Sequence, residues 1–152
     1  MIHEIIVITL KIFLTVLLCG IIGAEREGRN KGAGIRTHIL VGVGSALIVL
    51  TSFHVFDIYK DITVVDPTRM ITGVVTGIGF LCAGTIIQGG GKGFQVSGLT
   101  TAATLWIVSG IGMAVGAGHY SGAIIVSIVV FVVLVGLRSF ERTLAEKVKD
   151  IL

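Results

Sequence analysis

Basic and glycine residues alternate in a polar block at positions 25–38, which lies between two long apolar runs. The block contains four of the chain's twelve Lys and Arg residues and ends in a threonine and a histidine: Arg26, Arg29, Lys31, Arg36, Thr37 and His38. A second glycine-rich segment, at 84–101, contains Lys92 and ends in Thr100 and Thr101. Each segment brings polar groups to the beginning of a predicted helix, where free backbone N–H groups and the positive end of the helix dipole lie. This combination predicts a site for an anion such as a phosphate, a nucleotide or a lipid headgroup.

A simpler interpretation of the same residues is structural. Thr37 and Thr100 are then the N-caps of their helices, and the basic residues only set the orientation of the chain in a membrane. The two interpretations differ in one geometric respect. An anion site shared by both segments requires that they meet around one cavity.

Two carboxylates, Glu25 and Glu27, lie beside the basic residues at the end of the first apolar run. A carboxylate at a helix C-terminus lies at the unfavourable end of the dipole. We therefore expect Glu25 to pair with Lys31 or Arg36 across the loop. Such pairs form either a structural ion-pair network or a site that responds to protons or cations.

The sequence Asp66-Pro67-Thr68-Arg69 precedes the third apolar run. Asp followed by Pro predicts the beginning of a helix. Arg69, at the predicted membrane edge, is expected to pair with Asp66 or with a phosphate group. Asp66 and Arg69 would then mark the mouth of any site on this side of the membrane.

Metal and catalytic chemistry find little support in the residue pattern. The four histidines show no His-x-x-x-His spacing, and magnesium prefers oxygen ligands, so no metal ligands are assigned. No convincing nucleophile–base set points to an enzyme, no cofactor is implied, and the net charge of +3 does not indicate nucleic-acid binding. Threonines in the third and fourth runs either line a pathway or form hydrogen bonds between helices: Thr72, Thr76, Thr85, Thr100, Thr101 and Thr104.

The elements that hold these residues follow from composition. Apolar residues make up 53% of the 152 residues and charged residues 14%, and the mean hydropathy is +0.99; soluble domains differ strongly from this. Five apolar runs approach the roughly 20 residues that cross a bilayer: 5–24, 37–56, 71–88, 99–115 and 120–137. The sequence predicts an all-α, polytopic membrane protein with five transmembrane helices within residues 1–137. In residues 138–152, apolar side chains recur at helical spacing between charged ones. This pattern predicts either a short amphipathic cytoplasmic helix or a continuation of the fifth helix.

Basic residues are distributed unequally between the two sides of the predicted membrane. Nine fall in the segments 25–36 and 89–98 and in the tail after 137, against two, Lys60 and Arg69, on the other side. The positive-inside rule therefore predicts an N-terminus outside the cell and a C-terminus in the cytoplasm. Lys11 falls inside the first run, where its ammonium group is expected to reach the outer interface or to pair with an acid inside the bundle.

The 22 glycines predict close helix packing. Small residues let transmembrane backbones approach each other, and the motifs at 73–77 and 112–116 have the required spacing. Five short helices make a thin bundle, so we expect a homo-oligomer. A shift of 61 residues also aligns the polar block with the second glycine-rich segment, which suggests two repeated helical hairpins plus a fifth helix.

Three ordered blocks of this sequence resemble a known family. They are Lys31-x-Ala33-Gly34-Ile35-Arg36-Thr37-His38-x-Leu40-Val41, Gly77-Ile78-Gly79-Phe80-Leu81-x-Ala83-Gly84-Thr85 and Gly98-Leu99-Thr100-Thr101-Ala102-Ala103-x-x-Trp106. With Glu25-Arg26-Glu27, they are similar to the MgtC/SapB family of bacterial inner-membrane proteins. Cys82 stands where the family pattern often has glycine.

The resemblance implies a multi-pass membrane domain associated with magnesium limitation and, in pathogens, with virulence through survival inside host phagocytes. It implies a regulator of membrane partners, among them the proton-translocating ATP synthase, more than a magnesium carrier. Longer members of the family carry a soluble C-terminal domain, whereas this sequence ends at Leu152, so the resemblance leaves functions that need that domain unassigned here.

The preferred functional hypothesis is a non-enzymatic membrane protein that adjusts magnesium and proton homeostasis by binding another membrane protein or a second copy of itself. The contact or ligand site on the cytoplasmic side would contain Glu25, Arg26, Lys31, Arg36 and His38. The alternative is a small magnesium or proton transporter or channel, with threonines and the loop carboxylates on its path.

Overall fold

The computed structural model describes residues 2–88 and 97–149, and the side chains of residues 2–87 and 97–137. It contains five helices, α1 Ile2–Glu27, α2 Ile35–Tyr59, α3 Thr68–Gln88, α4 Leu99–Gly116 and α5 Tyr120–Lys149. Each is long and apolar enough to cross a membrane, and the described residues form no strand. The predicted all-α fold with five transmembrane helices is confirmed.

The fifth helix is continuous from Tyr120 to Lys149. The predicted fifth span and most of the predicted amphipathic tail therefore belong to one helix. The amphipathic character of residues 138–152 stays a prediction, because their side chains lie outside the described part of the chain.

Helix α4 lies at the centre of the bundle. Ten of its 18 residues are buried. It packs most extensively against α2 and also contacts α3, α1 and α5, and α1 packs against α2 as well. Side-chain contacts join His38 to Thr104 and Ser45 to Ser109, so α2 and α4 run parallel. Contacts of Arg26 with Thr101 and of Lys11 with Gly116 make α1 antiparallel to α4.

A glycine contact explains how closely α2 and α4 approach. A Cβ atom at Gly112 would collide with the carbonyl oxygen of Gly42, and a Cβ atom at Gly116 would lie 2.8 Å from the carbonyl oxygen of Ala46. Only residues without side chains permit this separation of the two backbones. The predicted packing role of the motif at 112–116 is thus confirmed, and its partner is α2.

Helices α3 and α5 lie at the periphery. Within 68–87, only Val74 and Ile78 are buried, and large apolar side chains on both helices are exposed, for example Phe80, Ile125 and Leu137. Exposed apolar surface of this extent is expected where lipid tails, rather than water, surround a helix.

Lys11 does not pair with an acid among the described residues, one of the two arrangements expected of it. Its ammonium group donates a hydrogen bond of 2.9 Å to the carbonyl oxygen of Gly116. Gly116 is the last residue of α4, where carbonyl groups have no partner within the helix and the dipole is negative. The lysine therefore caps a neighbouring helix, instead of pairing with an acid.

Two glycines begin the helices that follow the loops. Gly34 and Gly98, which the 61-residue shift aligns after a three-residue insertion, occupy the N-cap positions of α2 and α4. Gly98 has a φ of +87°, and a Cβ atom there would lie 2.6 Å from the carbonyl oxygen of Thr85. Glycine is required at this position, because any side chain would strain the backbone and separate α3 from α4.

Candidate functional site

A chain of buried hydrogen bonds links the ends of three helices. The Arg26 guanidinium, on the last turn of α1, donates to the Thr101 hydroxyl at 3.0 Å. The Thr104 hydroxyl lies 2.8 Å from the Thr101 carbonyl oxygen and 3.1 Å from Nε2 of His38. All four side chains are buried, with Arg26 only 4% exposed and His38 fully enclosed. The chain fixes α1, α4 and α2 relative to one another at this end of the bundle.

The geometry assigns the tautomer of His38. Its Nδ1 lies 2.9 Å from the carbonyl oxygen of Gly34, which can only accept a hydrogen bond. In the neutral ring, Nδ1 therefore carries the proton, and Nε2 and the Thr101 carbonyl oxygen compete for the single hydroxyl proton of Thr104. The loop residue Gly34 and Thr104 of α4 thus provide the hydrogen-bond partners of a histidine that the sequence leaves in an apolar run.

Glu25 pairs with residues of its own helix. Its carboxylate lies 2.5 Å from Nε of Arg29, one turn further on, and 3.9 Å from the Arg26 guanidinium. The predicted pairing with Lys31 or Arg36 is wrong, because the Glu25 side chain is 5% exposed and turned inward toward its neighbours. Neither carboxylate oxygen has a well-directed hydrogen bond among the described residues, so these contacts are ion pairs only.

The N-terminus of α2 is capped from the preceding helix. A carboxylate oxygen of Glu27 accepts a hydrogen bond of 2.8 Å from the backbone N–H of Ile35. Thr37 and Thr100 are not N-caps, contrary to the simpler interpretation, since each lies two residues or more beyond the capping glycine and is exposed. A carboxylate at a helix N-terminus also interacts favourably with the dipole.

A cleft of about 880 Å³ lies where the end of α1, the following loop and the first turn of α4 meet. Its walls contain three cationic residues, Arg26, Arg29 and Lys31. Small or polar residues of the loops and the first turn of α4 also line it: Gly28, Asn30, Gly98, Leu99, Thr100 and Thr101. Helix α5 contributes three apolar residues, Val133, Leu134 and Leu137. A smaller adjoining space of about 380 Å³ is lined by Asn30, Lys31 and residues around Ser97. The two glycine-rich segments therefore do meet around one cavity, through residues 28–32 and 97–101.

The predicted site residues divide into three groups. Arg26, Lys31, Thr100 and Thr101 line the cleft, and Glu25 and His38 are buried next to it. Arg36 and Thr37 are exposed and do not line it. Asp66 and Arg69 lie at the opposite end of the bundle, where α3 begins, and Lys92 lies outside the described residues.

Asp66 holds the beginning of α3. Its carboxylate accepts hydrogen bonds from the Thr68 backbone N–H at 2.8 Å and from the Thr68 hydroxyl at 2.7 Å. These two bonds, with a smaller contribution from the charge of Arg69, lower the pKa of the Asp66 carboxyl below its ordinary value. The predicted helix start is confirmed, and no ion pair within 4.0 Å joins Asp66 to Arg69 in the described chain.

Three contributors to the site were absent from the predicted set of site residues. Arg29 could have been found from its position four residues after Glu25, a spacing that pairs opposite charges on a helix. Glu27 and the α5 residues at 133–137 carry no such signal, because their roles depend on how distant segments pack. No group of three metal-binding side chains occurs among the described residues.

Five membrane-length helices, a core joined through glycines and serines, and a cationic cleft at one end define a multi-pass membrane protein built around α4. The sequence matches the MgtC family over residues 12–143. The chain therefore belongs to the MgtC family.

Relatives at substantial identity support this assignment. The chain is 42% identical over 127 residues to the putative magnesium transporter YhiD of Escherichia coli K12, an alignment covering 82% of this chain and 58% of that protein. It is 38% identical over 129 residues to the protein MgtC of Salmonella typhimurium LT2, covering 85% and 52%. An uncharacterized protein of Haemophilus influenzae is 35% identical over 130 residues, covering 84% and 54%. The chain thus spans about half the length of these relatives, and no solved structure matches it.

Proposed function

We propose that this chain is a non-enzymatic protein of the bacterial inner membrane that acts in magnesium and proton homeostasis by regulating a membrane partner. The partner in this proposal is the proton-translocating ATP synthase or a second copy of the chain. The end of the bundle with the cationic cleft faces the cytoplasm, as the distribution of basic residues favours.

One observation favours the regulatory role over ion transport: no carboxylate lies within the five apolar runs 5–24, 37–56, 71–88, 99–115 and 120–137. The nine acidic residues of the sequence occupy positions 4, 25, 27, 57, 61, 66, 141, 146 and 150, which are at helix ends, in loops or in the tail. Magnesium is bound through oxygen ligands, usually with one or two carboxylates. A magnesium path through the centre of one chain would lack these ligands.

The hydroxyl groups inside the spans are also engaged. Thr72 and Thr76 donate to carbonyl oxygens four residues back on α3, and Thr85 donates to Cys82. Ser45 and Ser109 contact each other between α2 and α4 at 2.8 Å. Threonines that satisfy their own helix and serines that join two helices support a packing role.

Flux measurements in liposomes test this part of the proposal. We expect that purified protein conducts neither magnesium nor protons faster than protein-free liposomes, measured with enclosed fluorescent indicators. Flux above that background which disappears in Glu25→Ala would favour the alternative, a small cation transporter. The name of the Escherichia coli relative, putative magnesium transporter, supports this alternative.

Regulation of the ATP synthase has its own measurement. Inverted membrane vesicles acidify when the synthase hydrolyses ATP, and we expect added protein to reduce the rate of acidification. The exposed Arg36 and Thr37 lie beside the cleft loop and offer a surface for contact. An Arg36→Glu variant that inhibits as well as the unchanged protein would remove Arg36 from the contact, and no inhibition by either protein would exclude this partner.

Self-association belongs to the same proposal and is assigned to α3. Cβ atoms at Gly73 and Gly77 would meet no atom within 4 Å in the described chain, so a second helix can approach this face closely. Gly77→Leu is expected to reduce chemical cross-linking between copies in the membrane. Gly79→Leu is the matched control, because Gly79 lies on a different side of the same helix.

A further inference from the structure

We propose that the cleft binds a phosphate group, carried either by a membrane phospholipid or by a free phosphate ion. The ligand is assigned from the charges, hydrogen-bonding groups and apolar wall of the cleft. This inference concerns a ligand of the cleft and stands independently of the regulatory role.

Charge is the first argument. Arg26, Arg29 and Lys31 line the cleft, and Glu25, which contacts two of them, carries the only negative charge within 4.0 Å of any of these three among the described residues. The cluster therefore keeps a net positive charge. An anion that enters the cleft gains charge-assisted hydrogen bonds, which are shorter and stronger than neutral ones.

Arg26 is a buried arginine that lacks one of its possible hydrogen bonds. Arg26 is 4% exposed and lines the cleft, and its Nε has no hydrogen-bond partner among the described residues. A buried donor left without a partner costs about 1–3 kcal/mol. Its Nη2 is held by Thr101, so the guanidinium is fixed in place. Nε itself is enclosed by protein atoms, so it would gain a phosphate oxygen as acceptor only if the neighbouring side chains shifted on binding.

The first turn of α4 provides further donors. Leu99, Thr100 and Thr101 line the cleft and form the turn in which backbone N–H groups have no acceptor inside the helix. Gly98 occupies the N-cap position and carries no side chain that caps them. The positive end of the helix dipole adds to the attraction for an anion.

The apolar wall distinguishes this cleft from a purely ionic site. Val133, Leu134 and Leu137 of α5 line it together with the basic residues. A phospholipid would place its phosphate against Arg26 and Lys31 and its acyl chains along α5, on the leaflet where anionic lipids attract basic residues. The volume of about 880 Å³ is in the range of small-molecule sites, about 300–1,000 Å³.

Native mass spectrometry of the detergent-purified protein tests the lipid source. Phosphatidylglycerol and phosphatidylcholine are added separately, and we expect preferential retention of phosphatidylglycerol. Lys31→Ala is expected to weaken that binding by about tenfold, the loss of one charged contact, and Lys31→Arg to restore it. Lys31 is exposed and forms no side-chain contact among those described, so its replacement leaves the fold intact, as circular dichroism can verify.

A titration with inorganic phosphate, followed by the thermal unfolding midpoint, tests the free ion. A rise in the midpoint that Lys31→Ala removes assigns the cleft to a soluble phosphate, whereas preference for phosphatidylglycerol alone assigns it to lipid. Arg36→Ala is the matched control, because it removes one basic residue from the same side of the membrane outside the cleft. The proposal is overturned if neither probe binds, or if Arg36→Ala weakens binding as much as Lys31→Ala.

Discussion

We expect the replacement of Gly112 by alanine to destabilise the bundle by about 1–3 kcal/mol, the usual cost of overpacking. The loss of stability should lie toward the upper end of that range. The added Cβ would collide with the carbonyl oxygen of Gly42 and would lie 2.8 Å from its carbonyl carbon. Both atoms belong to the backbone of α2 and cannot rotate away. Helices α2 and α4 must therefore move apart.

The magnitude follows from what that movement breaks. A separation of roughly 1 Å forfeits about a quarter to a half of the attraction of each atom pair across the gap. Ala46, Val49 and Val108 are buried in this region and lose such contacts. The hydrogen bond of 2.8 Å between Ser45 and Ser109 would lengthen beyond the about 3.0 Å usual for hydroxyl pairs.

The assay is unfolding of the purified protein in detergent with increasing sodium dodecyl sulfate, followed by circular dichroism. Gly110→Ala is the matched control, because a Cβ at Gly110 meets no atom within 4 Å in the described chain. Alanine is favoured over glycine in a helix by roughly 0.8–1.0 kcal/mol, so this control should be neutral or stabilising. If both variants unfold at the same point, the close approach of α2 and α4 is refuted.

Three other outcomes follow from single contacts. Glu27→Ala should cost about 0.5–2 kcal/mol through loss of a helix cap, measured by the same unfolding assay, while Glu27→Gln keeps an acceptor and most of the stability; equal losses would contradict the cap. His38→Ala should cost about 2–4 kcal/mol, because it opens a cavity and removes one partner of the buried Thr104 hydroxyl. The exposed His54 should tolerate alanine in the same measurement, and a similar effect of both substitutions would argue against the buried network. Because the pKa of the Asp66 carboxyl is lowered, its stabilisation of the beginning of α3 is fully present above the ordinary pKa of 3.8 and is lost as the pH falls through the lowered pKa. Hydrogen exchange of the Thr68 amide should therefore become less protected at that pH, and unchanged protection would contradict the cap.

The helices were predictable from the sequence because length and apolar composition decide them in a membrane. The predicted second run began at 37 and the helix begins at Ile35, an offset that reflects the cap supplied by Glu27. Composition also indicated that glycines pack helices, but it could not tell which ones do. Gly112 meets α2, whereas Gly73 meets nothing in the described chain.

The site was predictable only in part. Basic residues at a predicted helix start indicated an anion site, and Arg26, Lys31, Thr100 and Thr101 do line one cleft. The partner of Glu25 was predicted wrongly because pairing across a loop depends on the path of the loop. Asn30 takes a left-handed φ of 51° in that loop, a turn that the sequence alone did not specify.

The hydrogen bonds between α1, α2 and α4 have a consequence for motion. Rotating α4 by one residue, about 100°, would break the contacts of Arg26 with Thr101, of His38 with Thr104 and of Ser45 with Ser109 together. Such a rotation is therefore an all-or-none event, and these three helices behave as one rigid frame. Helix α3 also packs closely against α4, but the hydrogen bond found between them among the described side chains is a thiol contact, from Cys82 to the Ala102 carbonyl. The described side chains of α5 pack against the frame through apolar surface. Conformational change in this bundle is thus expected as movement of α3 and α5 around a fixed frame.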